Sequence, residues 1–173
     1  MNPKGDYNGK TYYYSWNKGG WPASAMYKFL NDESDSSSII NLLPKELKNV
    51  IKPTITVSGR GSEDTVEYIT SPDDKLDKLY LLAPKEIYSD FSSEYDSAAD
   101  LTRQLDYYKI KGVTTNSVDG AIKKDSAGSR SSWWLRSANF YTNTSFCNVY
   151  NEGYWNGEGA YNAYGVSPAF RIG

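Results

Sequence analysis

Trp133-Trp134-Leu135-Arg136-Ser137 and, further on, Gly165-Val166-Ser167-Pro168-Ala169-Phe170-Arg171-Ile172-Gly173 are two apolar anchors. They bracket a segment, 138–164, crowded with Asn, Tyr, Gly and Ser. Such residues combine amphipathic rings with adaptable hydrogen bonds at low entropic cost, as antibody paratopes do. The pattern argues for recognition rather than catalysis. The expected ligand-binding residues are Asn139, Phe140, Tyr141, Asn143, Ser145, Tyr150, Asn151, Glu152, Tyr154, Trp155, Asn156, Glu158, Tyr161 and Asn162.

Neighbours on a strand point to opposite faces, so at least one of Trp133 and Trp134 belongs to the core. Arg136 beside two Trp is expected to hold the fold rather than a ligand. Short strands are expected at Trp133 to Leu135, Phe146 to Tyr150 and Val166 to Ile172, with turns at Asn151-Glu152-Gly153 and Asn156-Gly157-Glu158-Gly159. On this reading Trp134, Phe146, Val149, Val166, Phe170 and Ile172 are buried, and truncating Phe170 to Ala costs roughly 3 to 5 kcal/mol.

Upstream, Thr11 to Trp16 is β-branched and aromatic and reads as a strand closed by the turn Asn17-Lys18-Gly19-Gly20. Ser24 can cap a helix carrying Met26, Phe29 and Leu30, and Pro44 suits the first turn of a second helix. Thr54 to Val57 alternates as a strand, and Ser58 to Thr65 reads as an exposed turn. Lys78 to Ala83 reads as a buried strand, Pro84 to Tyr88 as a short helix and Asp96 to Tyr108 as a third helix or helical turn, whereas Lys109 to Ser132 reads as a long irregular excursion. Helices early and strands late make an α+β fold, and the size fits one domain spanning residues 1–173.

Composition removes several function classes. Lys and Arg total 19 against 21 Asp and Glu, a net charge of −2, so no field draws nucleic acid. No apolar run is long enough for membrane insertion, and the start lacks the apolar stretch of a signal peptide. The chain is therefore expected either to stay inside the cell or to be part of a larger exported protein. His is absent and Cys147 is alone, which excludes imidazole catalysis, a disulfide within the chain and a His or Cys metal cluster. Cys147 is expected to be buried and inert. The acidic pairs Asp32-Glu33, Glu63-Asp64 and Asp73-Asp74 read as solvated surface rather than general acids, and Gly59-Arg60-Gly61-Ser62 as a turn rather than a phosphate cradle. No catalytic residue, metal or cofactor is expected. The 16 Tyr and 5 Trp suit short strands with wet aromatic tips.

Gly19-Gly20-Trp21, Phe29-Leu30-Asn31, Leu43-Pro44-Lys45-Glu46-Leu47, Asp77-Lys78-Leu79-Tyr80-Leu81-Leu82, Trp133-Trp134-Leu135-Arg136-Ser137 and Gly165 to Ile172 occur in an order that resembles the DUF6273 family over nearly the whole chain. That family is similar to C-type-lectin-fold proteins of bacterial surfaces and phage, including the variable proteins of diversity-generating retroelements. The resemblance implies a C-type-lectin-like fold, in which a small twisted antiparallel sheet and two or three helices carry an irregular C-terminal ligand face. It further implies an extracellular place on a bacterial cell or phage virion, as the C-terminal domain of a larger protein, and a protein or glycan partner on another surface. In retroelement variable proteins AAC or AAT codons are mutated at adenines. Asn139, Phe140, Tyr141, Asn143, Ser145, Tyr150, Asn151, Tyr154, Asn156, Tyr161 and Asn162 are reachable that way; Glu152, Trp155 and Glu158 are not. The calcium-lectin motifs Glu-Pro-Asn and Gln-Pro-Asp are absent, and Trp155-Asn156-Gly157 lacks the acidic third residue of the later motif.

Overall fold

The computed structural model describes residues 4–7, 10–13, 16–70 and 77–173. Strands β1 (Lys4–Tyr7) and β2 (Lys10–Tyr13) form an antiparallel hairpin. Of the strand expected from Thr11 to Trp16, β2 covers the start, while Tyr14 and Ser15 lie outside the described residues, as does the pair Asp73-Asp74. The turn before Trp21 needs glycine, because Gly19 and Gly20 have φ of 81° and 57°. A Cβ on Gly20 would also stand 2.2 Å from the Tyr68 ring.

Helix α1 (Ala25–Asn31) starts where Ser24 Oγ accepts from Tyr27 N at 3.0 Å, the expected cap. Its inward face is Tyr27, Leu30 and Asn31, whereas Phe29 is exposed. Two short helices follow, α2 (Ile39–Leu42) and α3 (Lys45–Val50), the latter entered through Pro44. Then come β3 (Ile51–Lys52), β4 (Val57–Ser58) and β5 (Tyr68–Ile69), the last two paired with each other. The 58–65 segment is not uniformly exposed. Ser58, Gly59 and Gly61 are buried, because a Cβ on Gly59 would lie 2.2 Å from the Asp96 carboxylate and one on Gly61 the same distance from Asn17 Oδ1.

Residues Leu79 to Ala83 are largely buried as expected, yet they make only a bridge, in which Tyr80 and Ala169 exchange backbone bonds of 3.0 and 2.7 Å. Helix α4 (Pro84–Ile87) follows, its Ala83 N–H donating to Glu86 Oε2 at 2.8 Å. The third helix shrinks to a 3-10 turn (Ala99–Leu101) and α5 (Asp106–Ile110), and Leu101 is exposed, so the i, i+4 pair with Leu105 makes no core stripe. A small hairpin, β6 (Lys123–Lys124) and β7 (Arg130–Ser131), leads to the main sheet.

That sheet is antiparallel, in the order β10 (Trp155–Gly159), β9 (Ser145–Val149), β8 (Trp133–Ala138). Asn156 to Gly159, expected as a turn, is thus the body of a strand. β9 supplies its ladder, and Gly157 is required because a Cβ there would lie 2.3 Å from Asn139 Nδ2. Every residue of β8 and β9 is buried, since both faces of the sheet are covered. Trp133, Leu135, Cys147 and Val149 face one core, with Ile87, Tyr88, Phe91, Tyr108, Val113 and Val118. Trp134, Ala138 and Phe146 face a second, with Trp21, Tyr27, Leu30, Ile40, Leu79 and Leu81. Both Trp are therefore core, one on each side. An irregularity between Trp134 and Ala138 leaves this alternation intact, because four steps on β8 oppose two on β9.

The last expected strand is the main correction. Only β11 (Arg171–Ile172) forms, pairing with β3, and Phe170 and Ile172 are 38% and 66% exposed, with Val166 half-buried. Pro168 cannot donate to a ladder, and the chain end runs along the surface as a two-residue ribbon. Phe170 consequently lacks the burial that a cost of 3 to 5 kcal/mol on truncation requires.

Candidate ligand-binding face

Strand β10 forms one edge of the main sheet and carries Glu158 on the face shared with Trp134 and Phe146, since Glu158 stands opposite Phe146 and Asn156 opposite Asn148. The Glu158 carboxylate gathers three neutral donors. Tyr150 Oη and Asn156 Nδ2 donate to Oε1 at 2.9 and 3.0 Å, and Asn162 Nδ2 donates to Oε2 at 3.0 Å. Tyr150, Asn156, Glu158 and Asn162, spread over 13 positions of sequence, thus become one half-buried polar cluster. Beside it Tyr164 packs on Trp134 with ring centroids 5.0 Å apart, and burial together with the Glu158 charge raises its phenol pKa. Asn148 is fully buried one ladder step away, and neither its Oδ1 nor its Nδ2 has a hydrogen-bond partner among the described residues.

The opposite face of β10 is aromatic. Trp155 packs against Phe91 at 4.9 Å and Tyr95 at 4.6 Å, and Tyr95 meets Tyr141 at 5.7 Å. Tyr141 continues to Phe140, over which Arg60 sits at 4.7 Å. This chain of rings runs from the first core to the surface. Tyr150, Tyr154, Trp155 and Tyr161 consequently do not share one exposed face: Trp155 and Tyr150 are half-buried on opposite sides of the sheet, whereas Tyr154 and Tyr161 are 51% and 66% exposed. Tyr141 is 57% exposed and donates to Glu94 at 2.9 Å. Asn143, Asn151 and Glu152 are exposed on loops, whereas Asn139 and Ser145 are buried in the scaffold.

Residues that no motif marks hold these loops. Asn17 Nδ2 reaches the carbonyls of Asn139, Thr142 and Ser145 at 3.3, 2.9 and 2.8 Å, and Asn17 N donates to Asn143 O at 3.0 Å. Buried Tyr88 donates to Gly153 O at 2.6 Å and pins the Asn151–Gly153 turn, where Gly153 has φ of 92°. Nothing local in sequence links residue 17 to residue 145. The family model described as "Domain of unknown function (DUF6273)" matches residues 5–173. The chain belongs to the DUF6273 family. No curated protein and no solved structure matches it.

This DUF6273 domain also has a cavity of about 410 Å³ between α1 and the main sheet, floored by Trp21, Leu81, Trp134 and Phe146, walled by Met26 and Phe29, and bordered by Ala160 and Asn162. That size suits a small-ligand pocket or a large side chain. Asn162 both lines the cavity and donates to Glu158, so the apolar space and the carboxylate cluster adjoin. No motif in the sequence announces the cavity, because its walls come from the helix near residue 26 and strands more than 100 residues later.

Two buried titratable groups lie away from this face, Cys147 and Asp96. Burial pushes the Cys147 thiol well up, which suppresses the thiolate needed of a nucleophile. Asp96 is buried, accepts from Ala98 N at 3.1 Å and Ser137 Oγ at 2.7 Å, and its carboxyl is pushed up to about 6, mainly by burial. Between about pH 4 and 6 folded Asp96 therefore keeps a proton that the unfolded chain has released. Its contribution to stability is full below about pH 4 and declines as pH rises towards 6, by on the order of 3 kcal/mol. Asp96→Asn should remove this share of the decline, which urea midpoints taken between about pH 4 and 7 would reveal; an unchanged slope would refute the assignment.

Proposed function

We propose that this DUF6273 domain is a non-enzymatic ligand-binding module of C-type-lectin-like architecture, whose recognition surface is built from residues 139–162. The observation that carries the reading is the separation of surface from scaffold. Tyr141, Asn143, Asn151, Tyr154 and Tyr161 are exposed on loops, and those loops spring from a sheet buried on both faces. Substitutions at such positions leave the two buried cores untouched, while large rigid rings and amides supply contact area. The proposed setting is the outer surface of a bacterial cell or phage, at the end of a larger protein, with a protein or glycan as partner. Diversification by a retroelement fits the Asn- and Tyr-rich loops; a fixed-specificity adhesion or structural domain is the alternative. A template repeat beside a reverse-transcriptase gene, differing at adenines under residues 139–162, separates the two.

The biochemical test is a protein and glycan array probed with the domain and with a Tyr141→Ala, Tyr154→Ala, Tyr161→Ala triple variant, each with and without EDTA. Tyr154→Ala should change stability by no more than about 0.5 kcal/mol, because exposed changes rarely cost more, whereas Tyr141→Ala also loses its ring contact with Tyr95, worth about 0.5 to 1.5 kcal/mol. Binding should survive the chelator and fall at least about tenfold in the triple variant, as loss of aromatic hot spots does. Intact binding by the triple variant, or binding abolished by EDTA, counts against the reading.

A further inference from the structure

Among the described residues Glu158 is a carboxylate without a countercharge. Its three donors are a phenol and two amides, and no Lys or Arg among the described residues pairs with it. Three neutral donors leave part of its acceptor capacity open, and a cation is the strongest complement to a half-buried carboxylate. The adjoining cavity offers the opposite chemistry, a floor of Trp21, Trp134 and Phe146. Its two charged border residues, Lys28 and Asp35, carry opposite charges and so add no net charge to the rim. Among the described residues Glu158 therefore stands uncompensated beside an apolar hole, and Asn162 is the shared wall.

We infer that the site takes a cationic group next to a large apolar one, the chemistry of a protein segment presenting Lys or Arg beside an aromatic or aliphatic side chain. The apolar group fills the α1–sheet cavity and the cation meets Glu158. This rests on the recognition reading above and narrows its partner to protein. An uncharged glycan offers neither a cation for Glu158 nor a bulky apolar group for the cavity.

The probes are hexylammonium, hexanol, hexanoate and methyl glucoside, titrated into the full chain. Tryptophan emission and the Asn162 side-chain amide resonances report binding, because Trp21, Trp134 and Asn162 line the cavity. Hexylammonium should bind about tenfold more tightly than hexanol, as an added charge-assisted hydrogen bond allows, and hexanoate more weakly than either. The advantage should shrink between about 0.05 and 0.5 M salt. Glu158→Gln should bring the ratio of hexylammonium to hexanol affinity to about one, and Ala160→Leu should weaken both probes by filling the cavity. The salt series needs no substitution, so it stands even if a variant folds poorly. Equal binding of hexanol and hexylammonium, no response to any probe, or a preference for methyl glucoside would overturn the inference. None of these results touches the array experiment, in which exposed Tyr141, Tyr154 and Tyr161 carry recognition.

Discussion

Replacing Arg136 with Ala is expected to destabilise the domain by roughly 3 to 5 kcal/mol, the cost of breaking a buried, hydrogen-bonded ion pair. The Arg136 side chain is fully buried. Nη1 and Nη2 grip Glu86 in a fork at 2.6 and 3.0 Å, Nη1 also reaches Leu81 O at 2.8 Å, and Nε reaches Val57 O at 2.9 Å. One guanidinium thereby ties β8 to the segment before α4, to β4 and to Glu86, whose carboxylate also caps α4 through Ala83 N. Its removal strands the mostly buried Glu86 carboxylate and two carbonyls at once. Lys cannot rebuild the fork, so Arg136→Lys should also be costly. Urea unfolding gives the single-variant costs, and Arg136→Ala combined with Glu86→Ala should cost clearly less than their sum. A loss under about 1 kcal/mol for Arg136→Ala would show that the pair is not the clamp described.

Asn17→Ala should cost roughly 2 to 4 kcal/mol, because the two N–H groups of one side-chain amide, one of them shared, serve three carbonyls of the 139–145 loop and buried acceptors pay desolvation when a donor is lost. Two of these carbonyls keep a partner, since Ser145 O also accepts from Asn139 N, and Thr142 O from Ser62 N. The functional consequence is separate from the energetic one. Without Asn17 the loop carrying Tyr141 and Asn143 loses its tie to the scaffold, so amide exchange should quicken at Asn139 and Ser145 before it does in β8. Unchanged loop protection together with a loss under about 0.5 kcal/mol would remove Asn17 from the machinery of the face.

The local chemistry of the sequence determined a good deal. Ser24 caps a helix, the Pro44 and Pro84 segments enter helices, and adjacent Trp133 and Trp134 face opposite ways, because capping, proline geometry and strand alternation depend on a few neighbouring residues. The α+β class and the family follow from the same signals spread along the chain. Tertiary structure decided what lies opposite each residue. Asn156 to Gly159 reads as a turn by its glycines, but β9 offers a ladder and Asn139 fills the space over Gly157, so it is a strand. Phe170 and Ile172 alternate as core residues do, yet they pair only with a two-residue edge and stay exposed. Glu158 acquires its donors, and the cavity its walls, by long-range packing; hydrogen bonds and apolar contacts form between surfaces, and which surfaces meet is not written in the spacing of either one.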